Sequence, residues 1–158
     1  MATYWPEFAA SGKEQVLVRH IMSHTSGLSG WQEPVTIADV CDWERSTSLL
    51  AAQEPWWEPG TASGYHALTH GHLMGEVLRR VDGRTMGRFF AEEVAGPLGA
   101  DFYIGLPESE EPRVAEMVPA ADPPDLAAEV DEESVAFRTF SNPVMAGEVG
   151  NLLSLIHI

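Results

Sequence analysis

The first apolar residues at helical spacing are Val16, Leu17, Ile21 and Met22, which predict a short helix over 15–23. That run stops at Thr25, Ser26 and Gly27, where Gly27 is placed to supply a left-handed cap. A second helix is predicted over 36–53: Thr36 caps it, Asp39 completes a capping-box-like pair, and Pro55 lies just beyond its end. Pro55, Pro59, Gly60 and Gly64 then exclude a regular helix or central strand and make 54–65 a structured aromatic loop. After this loop Ala67, Gly71, Met74, Leu78 and Val81 mark one face of a third helix, widened by Leu73 and Val77 and stopped by Gly83. Gly71 and Gly75 would let another backbone approach closely. A fourth helix starts at the cap Thr85, buries Phe89, Phe90 and Val94, and closes near Gly96, Pro97, Leu98 and Gly99. Beyond Ala100 the period changes, and 102–104 and 113–118 read as short strands bounded by proline or glycine. Acidic residues crowd 107–133 and face only Arg113, so a solvated, partly mobile excursion is expected there.

Composition limits the class of partner. With 9 Lys and Arg against 24 Asp and Glu, the 158-residue chain carries a formal charge of −15. Such a balance disfavours nucleic acid and anionic membrane surfaces, both of which are bound through clustered cations. The 44% hydrophobic content suits one globular domain, or part of one. Lone Cys41 excludes an intramolecular disulfide and a Cys-rich zinc site. The N-terminus lacks the pattern of a secretory signal, and nothing approaches the roughly 20 apolar residues of a membrane span.

Candidate chemistry centres on histidine, serine and tyrosine. His20 and His24 are four apart on the first predicted helix, and His66, His70 and His72 cluster near the start of the third. A zinc site using His66, His70 or the His20/His24 pair is one reading. No Glu follows His20 as a metalloprotease motif requires, and capping or solvated histidines are the expectation. Ser26 and Ser63 lack the first glycine of a nucleophile elbow and read as turn residues. The only lysine is Lys13, and Ala10 stands three before it, so the chain contains no Ser-x-x-Lys pair. Tyr65 ends the rigid loop just before a helix whose N-terminal dipole would favour a phenolate; a buried, hydrogen-bonded core tyrosine is the alternative.

Taken in order, 18–28 (Val-Arg-His-Ile-Met-Ser-His-Thr-Ser-Gly-Leu), 57–61 (Trp-Glu-Pro-Gly-Thr) and 64–66 (Gly-Tyr-His) resemble the serine beta-lactamase-related hydrolases. These include class C-like beta-lactamases, penicillin-binding proteins and family VIII carboxylesterases. The runs 71–80 (Gly-His-Leu-Met-Gly-Glu-Val-Leu-Arg-Arg) and 96–99 (Gly-Pro-Leu-Gly) fit the same family. The resemblance implies an α+β fold, in which a mostly α helical lobe with short antiparallel strands packs on a sheet. It makes Tyr65 the proton shuttle of a serine acyl-enzyme and His66 and Ala67 substrate-binding positions. Ala67 stands where the family's tyrosine box carries Asn or Ser, which favours ester over beta-lactam substrates.

In the family the nucleophile serine and its lysine lie upstream of this region and the last active-site strand lies downstream. Residues 1–152 are therefore expected to be a partial domain, without a nucleophile, with neither turnover nor more than marginal stability. Residues 153–158 resemble the translation of a sequencing-library adapter and are expected to be a processing tail. No cofactor or metal is implied. The expected ligand of the complete protein is a small ester or beta-lactam-like molecule, the cytoplasm is favoured with export left open, and no oligomeric state is implied. A non-catalytic binding protein built on the same helical lobe is the alternative function.

Overall fold

The computed structural model describes residues 1–115 and 131–143. Helix α1 (Val18–Met22) is shorter than the pattern predicts, because Leu17 stays extended and Val16 turns into the core. The left-handed residue that closes it is His24 (φ 59°) and not Gly27. Gly27 (φ 81°) makes a second reversal three residues later, where a Cβ would lie 2.7 Å from Pro55 Cβ and from the Trp57 carbonyl oxygen.

The helix predicted over 36–53 divides into α2 (Ile37–Cys41) and α3 (Trp43–Ala52). Thr36 and Asp39 cap α2 reciprocally, the Thr36 hydroxyl accepting from the Asp39 amide at 3.2 Å and the Asp39 carboxylate accepting from the Thr36 amide at 2.9 Å. The break falls at Asp42, whose extended backbone ends one helix while its carboxylate accepts the Arg45 amide (3.0 Å) to start the next. Side-chain capping at Asp42 outweighs the helical period running through it.

Helix α4 (Thr69–Asp82) ends at Gly83 in the left-handed conformation (φ 88°), as expected. Its buried face is Thr69, His72, Leu73, Gly75, Glu76 and Val77, whereas Val81 is 61% exposed and Gly71 has open space around it. The predicted stripe is thus rotated, because three polar residues, Thr69, His72 and Glu76, belong to the buried face. The His72 ring lies against Trp43 (centroids 5.4 Å) and edge-on to Trp31 (5.3 Å), with Nε2 2.9 Å from the Val40 carbonyl oxygen. Buried Glu76 accepts hydrogen bonds from Trp43 Nε1 (2.7 Å), Arg79 Nε (2.8 Å) and Arg80 Nε (2.6 Å). Burial pushes its pKa up, but these three donors override it and bring the carboxyl down to about 2. At Gly75 the close neighbour is the Trp43 ring, not a backbone; a Cβ would lie 2.6 Å from it.

Thr85 caps α5 (Met86–Phe90), which continues through a π-helical turn (Ala91–Ala95) into α6 (Gly96–Leu98) and stops at left-handed Gly99. Only Ala95 of this path is buried; Phe89, Phe90 and Val94 are half-buried, Phe90 packing on Phe102 (centroids 5.2 Å). Among the described residues there is no strand, so the antiparallel strands of the α+β expectation are not found there. Residues 102–104 lack a ladder partner, and Arg113 ends a 3-10 helix (Glu108–Arg113) in which it pairs with Asp101 and Glu110. Residues 116–118, most of the acidic run and the 153–158 tail lie outside the described residues.

Helix α7 (Val135–Phe140), capped by Ser134, has no counterpart in the predicted elements. It docks through polar bonds on 29–35. Ser29 and Thr139 share a hydroxyl hydrogen bond (2.7 Å), and Asn142 donates to the Trp31 and Glu33 carbonyls and accepts from the Val35 amide. The apolar core gathers Trp5, Phe8, Val16, Ile21, Leu28, Trp31, Leu50 and Leu73. The lone lysine enters it: Lys13 is fully buried, donates to the Ala10 carbonyl (2.7 Å) and the Gln53 carbonyl, and lies 5.4 Å from the Phe8 ring centre. No helix among the described residues is long and apolar enough to cross a membrane.

Candidate functional site

Two segments build the site, the turn after α1 (24–28) and the Pro/Gly loop that leads into α4. The loop has no internal regular structure, so its amides find partners across the gap. Trp56 donates to the Gly27 carbonyl (2.8 Å), Gly60 to the Thr25 carbonyl (2.8 Å) and Gly64 to the His24 carbonyl (3.0 Å). At its far end Thr69 Oγ1 donates to the Leu28 carbonyl (2.7 Å). The loop is pinned along its whole length and presents the next residues in one orientation.

Those residues are the three site candidates, and their side chains alternate. Tyr65 is 64% exposed, His66 is 1% exposed, and Ala67 points outward again. Tyr65 is therefore not the buried core tyrosine. Helix α4 begins at Thr69, four residues after Tyr65, which leaves the phenol beyond the first turn where a helix dipole acts. Its ring instead rests on His24, with centroids 5.0 Å apart.

His66 lies beneath the loop. Its Nδ1 is 2.6 Å from the Gly64 carbonyl oxygen, which can only accept, so Nδ1 carries the proton. Nε2 is then the acceptor, and the Ser26 hydroxyl donates to it at 2.7 Å while accepting from the Leu28 amide (3.2 Å). Burial lowers the His66 pKa to about 4; the Gly64 carbonyl pulls it up, and the nearby His24 and His70 push it further down. His70, half-buried, is lowered by burial and then by His24. The Ser26–His66 pair has the hydrogen bond of a nucleophile and its base, but Ser26 is fully buried, so the pair is a strut between the two segments.

The histidine expectations divide. His20 caps α1, its Nδ1 3.4 Å from the Leu17 amide nitrogen, as a capping histidine should. His66 and His72, by contrast, are buried inside the fold with hydrogen-bonded rings, neither capping nor solvated. His20 and His24 do not act together: His24 sits past the end of α1, and its ring neighbours are Tyr65, His66 (5.3 Å) and His70 (4.9 Å). Among the described residues no group of three His, Cys, Asp or Glu side chains is arranged to hold a metal ion. The grouping of His66 with His70 follows the sequence reading, but His24 joining them was not foreseen from spacing, because it comes from a segment about 40 residues away.

A profile of the beta-lactamase family matches residues 1–151. The chain belongs to the beta-lactamase family. Within that family it is 42% identical over 130 residues to a protein of Mycobacterium tuberculosis named esterase/beta-lactamase LipL, covering 81% of this chain and 29% of that one. Among solved structures it is similar to a penicillin-binding protein homolog from Caulobacter crescentus (47% identity, TM-score 0.74), with 78% of this chain and 33% of that chain covered. A family VIII carboxylesterase superposes with 55% identity and a TM-score of 0.72 over 74% of this chain and 33% of the other. EstA from Arthrobacter nitroguajacolicus aligns at 42% identity and a TM-score of 0.77, with 90% and 37% covered. The chain thus spans about a third of the length of these relatives of the beta-lactamase family, and shares their beta-lactamase/transpeptidase-like fold over that part.

Proposed function

We propose that residues 1–152 are the helical lobe of a serine hydrolase that acts by acyl-enzyme transfer on small esters, with beta-lactams or related amides as weaker substrates. In that reaction a serine oxygen attacks the ester carbonyl, and its proton passes to a base. The collapsing tetrahedral intermediate expels the alcohol, which takes up a proton, and water then releases the acid from the acyl-enzyme. Tyr65 is the proton carrier. The observation that supports it most is its placement: an exposed phenol whose two flanking amides are both hydrogen-bonded, on a loop pinned to the fold. The names of the relatives, esterase/beta-lactamase and family VIII carboxylesterase, support the substrate class.

Exposed Ala67 offers neither amide nor hydroxyl to a substrate, which weights the reading towards esters. Buried His66 acts from beneath, orienting the loop through Ser26 and not by touching substrate. The chain holds no Ser-x-x-Lys pair, so the nucleophile and the sheet around it belong to sequence on either side of 1–152, with 153–158 an adapter-derived tail. If instead a genuine stop codon precedes Met1 in the gene, the lobe is a binding module without chemistry.

Two measurements test this. Fluorophosphonate and penicillin probes should leave the 158-residue chain unlabelled, and rapid stoichiometric labelling would place a nucleophile within it. Joined to the segments its gene encodes upstream and downstream, residues 1–152 should hydrolyse a nitrophenyl butyrate ester, and Tyr65→Phe should lower kcat by about 10²-fold or more, the ordinary worth of a positioned acid–base group. A joined protein whose Tyr65→Phe variant keeps its rate has its proton carrier elsewhere.

A further inference from the structure

We infer that His24 is the positioning residue for Tyr65, a clamp that binds the backbone N–H groups of the residues on either side of the tyrosine and packs on its ring. The Gly64 amide donates to the His24 carbonyl (3.0 Å), and the His66 amide donates to the His24 ring at Nδ1 (3.1 Å). One residue therefore satisfies the amide before Tyr65 with its backbone and the amide after it with its side chain. The same imidazole packs against the Tyr65 ring, centroids 5.0 Å apart and planes tilted by 48°, so the phenol has a fixed neighbour on one side while 64% of its surface stays open.

The clamp needs a special backbone. His24 adopts φ 59°, a left-handed conformation that residues other than glycine seldom adopt. That conformation lets its carbonyl and its ring face the same loop. It also needs one tautomer, because Nδ1 can accept the His66 amide only when unprotonated, which leaves the proton on Nε2. His24 thus acts on the reaction through Tyr65, and the inference rests on the proton-carrier role proposed for that residue.

Ring-nitrogen NMR of the full 158-residue chain decides the tautomer without any substitution. An unprotonated His24 Nδ1 with a protonated Nε2 near neutral pH is expected, and a protonated Nδ1 in the folded chain overturns the clamp. Amide exchange then separates positioning from general support. In His24→Gly, which tolerates the backbone but lacks the acceptor, the His66 amide should exchange at least 10-fold faster while Gly64, still bonded to the residue-24 carbonyl, changes little. His24→Asn, which restores an acceptor at the Nδ1 position and tolerates positive φ, should recover the slow exchange. In chains carrying 3-fluorotyrosine, the Tyr65 fluorine resonance should move in His24→Gly while those of Tyr4 and Tyr103 stay. Unchanged His66 exchange and an unmoved Tyr65 resonance would overturn the inference. None of these readings requires turnover, so a joined hydrolase indifferent to Tyr65→Phe would remove the proton carrier yet leave the clamp standing.

Discussion

Tyr65 and His66 are adjacent in the chain and opposite in fate, the first open to solvent and the second sealed beneath it. The difference comes from partners. A phenol can rest its ring on His24 and keep its hydroxyl in water, whereas the His66 ring finds a carbonyl at one nitrogen and a hydroxyl at the other and gains by leaving water. His66 therefore stays neutral in the folded chain down to about pH 4, while an unfolded histidine takes up its proton near 6.5. Between those values the unfolded state binds the extra proton, so stability is complete above about pH 6.5 and is lost as pH falls towards 4. Because His70 is shifted in the same direction, His66→Gln should flatten this slope without abolishing it. Urea midpoints measured at pH 7 and pH 5 for both chains check it, and an equal loss in wild type and variant would contradict the buried neutral imidazole. Tyr65 was legible as a candidate because a Pro/Gly loop before a helix and a family-like motif both converge on it. The buried role of His66 was not, since its partner Ser26 is 40 positions away and reads locally as an ordinary turn serine.

At the scale of elements, what could be read in advance was punctuation. Thr36 with Asp39, Gly83 and Thr85 mark helix ends through bonds between near neighbours, and each stands where expected. Faces were harder, because α4 buries Glu76 and His72, residues that a hydrophobic period counts as outward. What admits them is Trp43 at the start of α3, which donates to Glu76, stacks on His72 and lies against Gly75. Gly75 is thus a packing residue between α3 and α4. Gly75→Ala should destabilise the chain by about 1–3 kcal/mol, the usual cost of overpacking, despite alanine's better helix propensity. In a Trp43→Leu background the same substitution should cost much less, since the ring that it strikes is gone. A double-mutant cycle by denaturant unfolding measures that coupling, and additive losses would place the strain elsewhere.

Across the whole molecule, long-range polar ties do what the local pattern could not announce. Helix α7 is short and weakly periodic, and it is held through Ser29–Thr139 and Asn142 to residues more than 100 positions earlier. The lack of strands among the described residues has the same origin: a segment such as 102–104 joins a sheet only when another edge supplies its hydrogen bonds. Lys13 is the most unusual of the ties, the only lysine in a chain of net charge −15, placed in the core to join the N-terminal turn to the end of α3. Burial lowers its pKa from 10.5 to about 8 against the upward pull of Glu14 and Glu54. Between pH 8 and 10.5 the unfolded lysine still holds a proton that the folded one has released, so Lys13 contributes a stability that grows with pH across that window. Lys13→Met removes the titrating group, keeps an unbranched side chain of similar length, and leaves the Ala10 and Gln53 carbonyls without their donor. The wild-type chain should therefore gain several degrees in Tm relative to Lys13→Met between pH 8 and pH 10.5, with the two curves running parallel from pH 6 to pH 8. Cys41, whose thiol burial pushes up, loses stability over part of the same alkaline range, but it is common to both chains and cancels in the difference. A Tm difference that stays constant from pH 6 to pH 10.5 would mean that the buried ammonium is as well solvated in the fold as in water, and that its two carbonyl partners repay its full desolvation.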